Sequence, residues 1–448
     1  MISTRSLSKA LVFVLVAVIL LIAASMIYDP GPQPQQEIPA EVLECDYCTF
    51  NYRIPFTLGY THQQPDGNRL VEGQSDLPNA SYAEVDLGET PSWIVASPMG
   101  NESIWVAVSD DGNVSAFSLM DGVLEQTNIT PNRIHADSPP LLTVKGGEAF
   151  LVASGASNES LLTHPIVLTN SGKNVFIDTG NDLVFRVNEE EAARFEVEAL
   201  PDARLVTDEN ERILLLTGAT TDYGHGVLGD EIEASNITIV ENTRNTAIVN
   251  VIELPSDDVA EGIAPIWADL DGDGIREIIV TLSNKDEGAR LVVFNENGDI
   301  LASGSAVGQG YRWRHQIAVA PFGPEGEMEI AAVLTPHIGG VVEFYELEGN
   351  RLQVVASIPG YTSHQIGSRN LDMAVAGDFD GDGNIELLLP SQDFESLGAI
   401  RHTEEGAEVV WQLSPGGKLS TNLAGVQLRD GSIAVGAGTE DGKLRVWY

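Results

Sequence analysis

The sequence predicts an all-β chain assembled from repeats of about fifty residues. Three observations carry that prediction. Short apolar runs, "EIIVTL" from Glu277 and "ELLLP" from Glu386, follow turns rich in glycine and aspartate, and runs of this length suit strands and are too short for helices. The turn-and-strand unit recurs, since "PFGPEGEMEIAAV" from Pro321 matches "DFDGDGNIELLLP" from Asp378 position for position. No long helical periodicity appears after residue 30, and the 44 glycines fall mostly between apolar runs.

Weaker copies end in the same apolar strand: "SIWVAV" from Ser103, "AFLVAS" from Ala149, "RILLLT" from Arg212 and "SIAVGA" from Ser432. Aligning them places repeat origins near residues 95, 141, 204, 269, 321, 378 and 424. Most copies continue, after a turn, into a second strand such as "GARLVVFN", "GGVVEFYEL" or "GKLRVWY". Seven such units, none able to bury its faces alone, predict a β-propeller of seven blades. The last unit lacks a fourth strand, and "SYAEVDLG" (81–88) precedes the first unit without a blade of its own. Pairing 81–88 with 443–448 would close the ring and remove two open edges. On this reading residues 30–75 are dispensable to the propeller.

The acidic turns point to chemistry. Asp269, Asp271 and Asp273 alternate on a tight loop with Gly272 and Gly274, and Glu277 stands at the ninth position. Converging carboxylates repel unless a cation joins them, and Ca²⁺ takes six to eight oxygen ligands in flexible geometry. The expected ligands are Asp269, Asp271, Asp273, the Ile275 carbonyl and Glu277, with Asp378, Asp380, Asp382, the Asn384 carbonyl and Glu386 in the second copy. An EF-hand is excluded, because position 12 is Val280 or Leu389 and strands, not helices, flank the loops. The 321–329 copy, with Gly323 and Pro324 at motif positions, is expected to bind no ion.

The strand-flanked D-x-D-G-D-G-x-x-E pattern resembles the FG-GAP/VCBS repeats of integrin-alpha-like β-propellers. The resemblance implies that the loop joins the first two strands of a blade and binds calcium, and that partners are proteins or carbohydrates. Related propellers also carry carbohydrate lyases and hydrolases, which makes an extracellular carbohydrate-active enzyme the alternative function.

Residues 10–27, "ALVFVLVAVILLIAASMI", form an apolar stretch behind Arg5 and Lys9. Its length suits a short membrane span, and basic residues on its N-terminal side place residues 1–9 in the cytoplasm and the remainder outside. The expected organisation is a cytoplasmic tail (1–9), a transmembrane signal anchor (10–27), a Pro- and Gln-rich stalk (28–80) and the propeller (81–448). The chain is thus expected in the cell membrane with the propeller extracellular, or secreted if "AAS" (23–25) is a cleavage site. Cys45 and Cys48, the only cysteines, are expected to form a local disulfide in an exported chain. Six N-x-S/T sequons, at Asn79, Asn101, Asn113, Asn128, Asn158 and Asn236, suit a glycoprotein.

The formal charge of −42 excludes nucleic acid as a partner, since phosphate binding needs a basic footprint. "FIDTGND" (176–182) contains the D-T-G of aspartic proteases, but that chemistry needs two aspartates sharing a proton and no second copy occurs. No G-x-S-x-G, P-loop or H-E-x-x-H is present. The segments ahead of each first strand lie at the channel mouth opposite the acidic loops. They concentrate basic and aromatic residues, including Arg133, His135, Tyr311 and Lys418. Arg312, Trp313, Arg314, His315, His364 and Arg369 are the expected ligand-binding set, suited to an anionic or polyhydroxylated ligand. Together these readings predict an exported, calcium-binding adhesion or ligand-binding module for an extracellular protein or glycan.

Overall fold

The computed structural model describes residues 56–59 and 65–448, other than 156, 189 and 244. The expected tail, the apolar stretch 10–27 and Cys45 and Cys48 lie outside the described residues. Among those described the chain is all-β apart from one short 3-10 turn at Leu77–Asn79, and no helix is long and apolar enough to cross a membrane.

The strands form a propeller-like succession of small antiparallel meanders. They occupy 91–127, 141–152, 166–195, 206–253, 266–303, 314–359, 375–413 and 419–447. The three from 206 to 359 are continuous through short bridges, Ala234↔Ala260 with Val259↔Ser283, and Ser303↔Arg351. The described residues thus hold eight meanders where seven were expected. The additional one, 166–195, interrupts the spacing between the origins at 141 and 204.

Each meander is apolar where neighbours cover it. The second strands Glu277–Ser283 and Glu386–Pro390 are buried throughout, because sheets pack on both of their faces. Last strands such as Arg351–Pro359 and Ala247–Glu253 are largely exposed. Apolar clusters join the meanders in turn. One spans 166–195, 206–253 and 266–303 through Phe185, Leu215 and Trp267. Further clusters join 266–303 to 314–359 and 314–359 to 375–413. The 375–413 meander packs on 419–447, and that one on 91–127, where Ala424 and Val446 meet Ile94 and Trp105. Trp93 and Val106 then meet Leu142 and Leu151 of the 141–152 meander.

The N-terminal part of the chain is woven into these sheets. Tyr82–Asp86 runs antiparallel to Lys443–Trp447, the pairing expected for 81–88. Leu70–Gln74 lies parallel to Val375–Asp378, and Phe56–Gly59 pairs with Leu141–Lys145. The boundary at residue 81 therefore shifts toward the N-terminus, and residues 56–59 and 70–74 belong to sheets instead of a stalk. Arg69 explains why that stretch is held. Its buried guanidinium bonds Asp372 at 2.8 Å and reaches the carbonyls of Gln316 and Ile317.

Candidate functional site

The two acidic loops sit where the sequence places them, between first and second strands. Asp269 follows the strand Ile266–Ala268 and accepts the amides of Gly272 at 2.8 Å and Gly274 at 3.0 Å. Both glycines have positive φ, 76° and 85°, which lets the loop coil around that carboxylate. Asp271 accepts the Asp273 amide and Asp273 accepts the Ile275 amide at 2.7 Å. The carboxylates of Asp269, Asp271 and Asp273 lie within 4.8 Å of one another. Glu277, buried at the head of its strand, accepts the Leu270 amide at 2.8 Å. Burial pushes its carboxyl up, and the charges of Asp271, Asp269 and Asp273 add to that push. Among the described residues these four acidic side chains have no basic partner; the three aspartates lie close enough together to hold a hard divalent cation, with Glu277 near them, and such an ion would cancel their repulsion.

The second loop repeats the backbone pattern. Asp378 accepts the amides of Gly381 and Gly383, Asp382 that of Asn384, and Glu386 that of Phe379. Its electrostatics differ. Arg401 bonds Asp382 at 2.8 Å, Asp380 at 2.6 Å and Glu386 at 2.9 Å. Burial still pushes the Glu386 carboxyl up to about 7, against the pull of Arg401 and the Phe379 amide. Three of the five expected ligands are therefore already engaged by a cation of the chain itself. In the 321–329 copy, Glu329 pairs with His402 at 2.9 Å.

At the opposite end of the first strands the expected ligand-binding residues separate into two groups. Trp313, His315 and His364 come together. The buried indole of Trp313 stacks on His315 with centroids 4.7 Å apart and meets His364 edge-on at 5.3 Å. Its Nε1 donates to the Glu261 carbonyl at 3.1 Å. The arginines do not join them. Arg314 is buried and turned to Glu343 at 3.0 Å and to the carbonyls of Ala289 and Ser305. Arg369 is held between Asp202 at 2.8 Å and Asp230 at 2.6 Å. Arg312 is exposed, with one long bond to the Val307 carbonyl. The expected fork of guanidiniums facing a ligand is thus corrected: in a chain so rich in carboxylates, two of the three arginines are consumed in pairing.

Two histidines absent from the expected set complete the cluster. His337 stacks on Trp313 at 6.1 Å, and its Nε2 lies 2.7 Å from Nδ1 of His364, whose Nε2 donates to the Ser368 carbonyl. His225 pairs with Glu261 and lies against Tyr311, which also meets Tyr223 at 5.1 Å. Burial pushes His364 down to about 3 and His337 down to about 4, so both imidazoles are neutral at pH 7. His315 is held well below its usual value by burial, reinforced by Arg69, and its Nε2 has no partner. Val227 and Leu228, from the long connection after Ile213–Thr220, pack on Ile263, Trp313 and Leu371 and fill the space beneath. Tyr311 is 46% exposed, Ile338 81% and Ile366 68%, on the loops that carry Trp313, His337 and His364.

No protein-family model matches the sequence, and no curated protein is similar to it. Solved structures are similar. A europium-containing methanol dehydrogenase aligns with 85% of this chain and 90% of its own, at 10% identity and a TM-score of 0.52. A structure of BBS1N in complex with ARL6DN covers 85% and 96% at 15% identity with a TM-score of 0.39. A mitotic checkpoint complex structure covers 84% and 96% at 9% identity with a TM-score of 0.41. At such identities the likeness to the dehydrogenase is one of fold alone, and it agrees with a propeller-like all-β chain.

Proposed function

We propose that the chain is an exported, membrane-anchored β-propeller, closed by pairing of 82–86 with 443–447 and stabilised by calcium, that binds an extracellular protein or glycan at its channel mouth. The observation that carries the reading is the pairing of a rigid base with an exposed rim. Trp313 and its histidines are held by stacking and hydrogen bonds, while Tyr311, Ile338 and Ile366 are exposed on the loops that carry Trp313, His337 and His364. Isolated exposed apolar residues are ordinary, but three on neighbouring loops around one aromatic base form a surface for apolar side chains or sugar faces. Calcium acts as a structural cation, cancelling carboxylate repulsion where two strands of a blade meet. The anchor rests on residues 10–27 and their flanking charges.

The test is a glycan array and a cell-surface binding assay with the detergent-solubilised chain, run beside Tyr311→Ala and Ile338→Asp/Ile366→Asp. Binding that is lost in the variants at unchanged melting temperature supports the mouth, and binding indifferent to them refutes it. Chelation should lower the melting temperature by an amount set by free calcium over its dissociation constant.

One observation favours the carbohydrate-active enzyme as a second reading. Burial pushes the Glu233 carboxyl well up and the neighbouring Glu261 adds to it, so a carboxyl group with a raised hold on its proton, which accepts the Gly262 amide, lies beside a second one. Cleavage of a polysaccharide by the wild-type chain and not by Glu233→Gln would establish it.

A further inference from the structure

Several acidic groups of this chain are neutralised from within. Asp178 and Asp182 share Arg194, which lies 2.8 Å from Asp182. Asp208 holds Arg212 at 2.7 Å, Asp258 holds Arg290 at 2.6 Å, and Glu329 holds His402. Arg194 and Arg290 lie on nearby strands of the same sheets, Arg212 just ahead of its strand, and His402 on the adjoining meander.

The two metal-type loops divide on this point, and the sheet register shows why. Leu387 pairs with Ile400, so Glu386 at the head of its strand stands opposite Arg401. Ile278 pairs with Phe294, so Glu277 stands opposite Asn295. The same structural position thus holds a guanidinium in one meander and a neutral amide in the other. Asn295 spends its side chain on its own turn, accepting the amides of Asn297 and Asp299. Arg276, next to Glu277 in sequence, turns away to Asp66 at 2.8 Å and Glu209 at 3.0 Å. Among the described residues no basic side chain pairs with Asp269, Asp271, Asp273 or Glu277.

We propose that Arg401 is the resident cation of loop 378–386, occupying with its guanidinium the place that the loop's motif reserves for calcium, so that the chain takes up one calcium ion instead of two. The donors of one planar fork reach three carboxylates, a geometry that a point charge on a lysine would not reproduce. The side chain is only 15% exposed, so water screens these bonds little. A calcium ion would have to break all of them, whereas the tethered guanidinium loses no translational freedom in forming them. The divergence between the loops is therefore one of cation source, solvent for 269–277 and the chain for 378–386. This inference rests on the calcium reading above.

Calorimetric titration of the full chain in detergent with CaCl₂ tests it. The wild type is expected to bind one ion, Asp271→Asn/Asp273→Asn none, and Arg401→Asn two, with a calcium-dependent rise in melting temperature larger than the wild type's. Two ions in the wild type, or one retained in Asp271→Asn/Asp273→Asn, would overturn the proposal while leaving calcium binding intact. Neither result depends on the Arg401 variant folding. A folded Arg401→Asn that still binds one ion would overturn it as well. No binding by any of the three chains would remove the calcium reading itself, and this proposal with it.

Discussion

Tyr82 stands opposite Trp447 in an antiparallel ladder, and Arg445 lies 4.2 Å from the centre of the Tyr82 ring while bonding Glu84 at 2.9 Å. The strand ahead of the first meander is thereby fixed to the last by backbone, aromatic and ionic contacts together. Ala83 faces inward beside Val446, in the cluster that holds Trp105. Ala83→Asp would place an unpaired carboxylate there and should cost about 3 kcal/mol, read as a shift in urea midpoint. Glu84→Ala, which removes only partly exposed ion pairs with Arg445 and Lys443, should cost under about 1 kcal/mol. Equal effects of the two would contradict a packed closing strand.

Arg69→Met should destabilise the chain by about 3–5 kcal/mol, because it breaks a buried pair and strips donors from two carbonyls. Truncation through residue 75 should fail for the same reason, contrary to the expectation that this stretch is dispensable. A truncated chain melting with the wild type would show that Arg69 and the strand Leu70–Gln74 contribute little.

Acid should weaken the fold through its buried imidazoles. Burial, helped by Arg204, pushes His164 down to about 4, and burial pushes His364 down to about 3 against the pull of the Ser368 carbonyl. The groups that face them are Arg204 and Asp372 for His164, and His337 and the Ser368 carbonyl for His364. An unfolded histidine titrates near 6.5, so between pH 6.5 and 4 the unfolded chain binds protons that the folded chain refuses. Stability therefore falls as pH falls, by about 2 kcal/mol per histidine between pH 6.5 and 5. Urea midpoints across that range should drop less steeply in His164→Gln and His364→Gln. Parallel curves for variant and wild type would refute the assignment.

Gly340→Ala should disturb the loop that carries His337 and Ile338. Gly340 has φ of 27°, and a Cβ there would lie 1.8 Å from the Tyr361 carbonyl oxygen. Gly339, at φ 79°, has open space around the same position, so Gly339→Ala should cost only about 1 kcal/mol. Amide exchange in 335–340 should quicken in the first variant and not in the second.

The repeating strands were legible because most second strands, such as Glu277–Ser283 and Glu386–Pro390, are buried on both faces and read as unbroken apolar runs. The 166–195 meander escaped notice because its second and third strands, Lys173–Ile177 and Leu183–Val187, are short and partly polar. Its turn drew attention instead as a protease-like "DTG". Asp178 there accepts the amides of Gly180 and Asp182, a plain hairpin turn. The acidic loops were legible as local spacing. Their difference was not, because Arg401 and Asn295 become equivalent only through cross-strand register. In the aromatic cluster, Trp313 and His364 followed from their place before first strands, and His315 from the start of one. His337 and His225 lie after second strands, and "HIGG" beyond an apolar run was the available signal for the former. The pairing of Arg314 and Arg369 depends on carboxylates distant in sequence, which no local pattern reveals.

Joining Glu84 to Arg445 links residues 361 apart in sequence, a loop whose ends meet late in folding. Contacts at that separation raise contact order and slow the search for the native state. During synthesis the strand 82–86 emerges long before its partner 443–447, and both stay unpaired until the two meet. Each is an unpaired strand able to join a neighbouring chain instead. Two molecules exchanging this strand would satisfy the same ladder, so the clasp that finishes the monomer also makes a strand-swapped dimer the natural misassembly at high concentration.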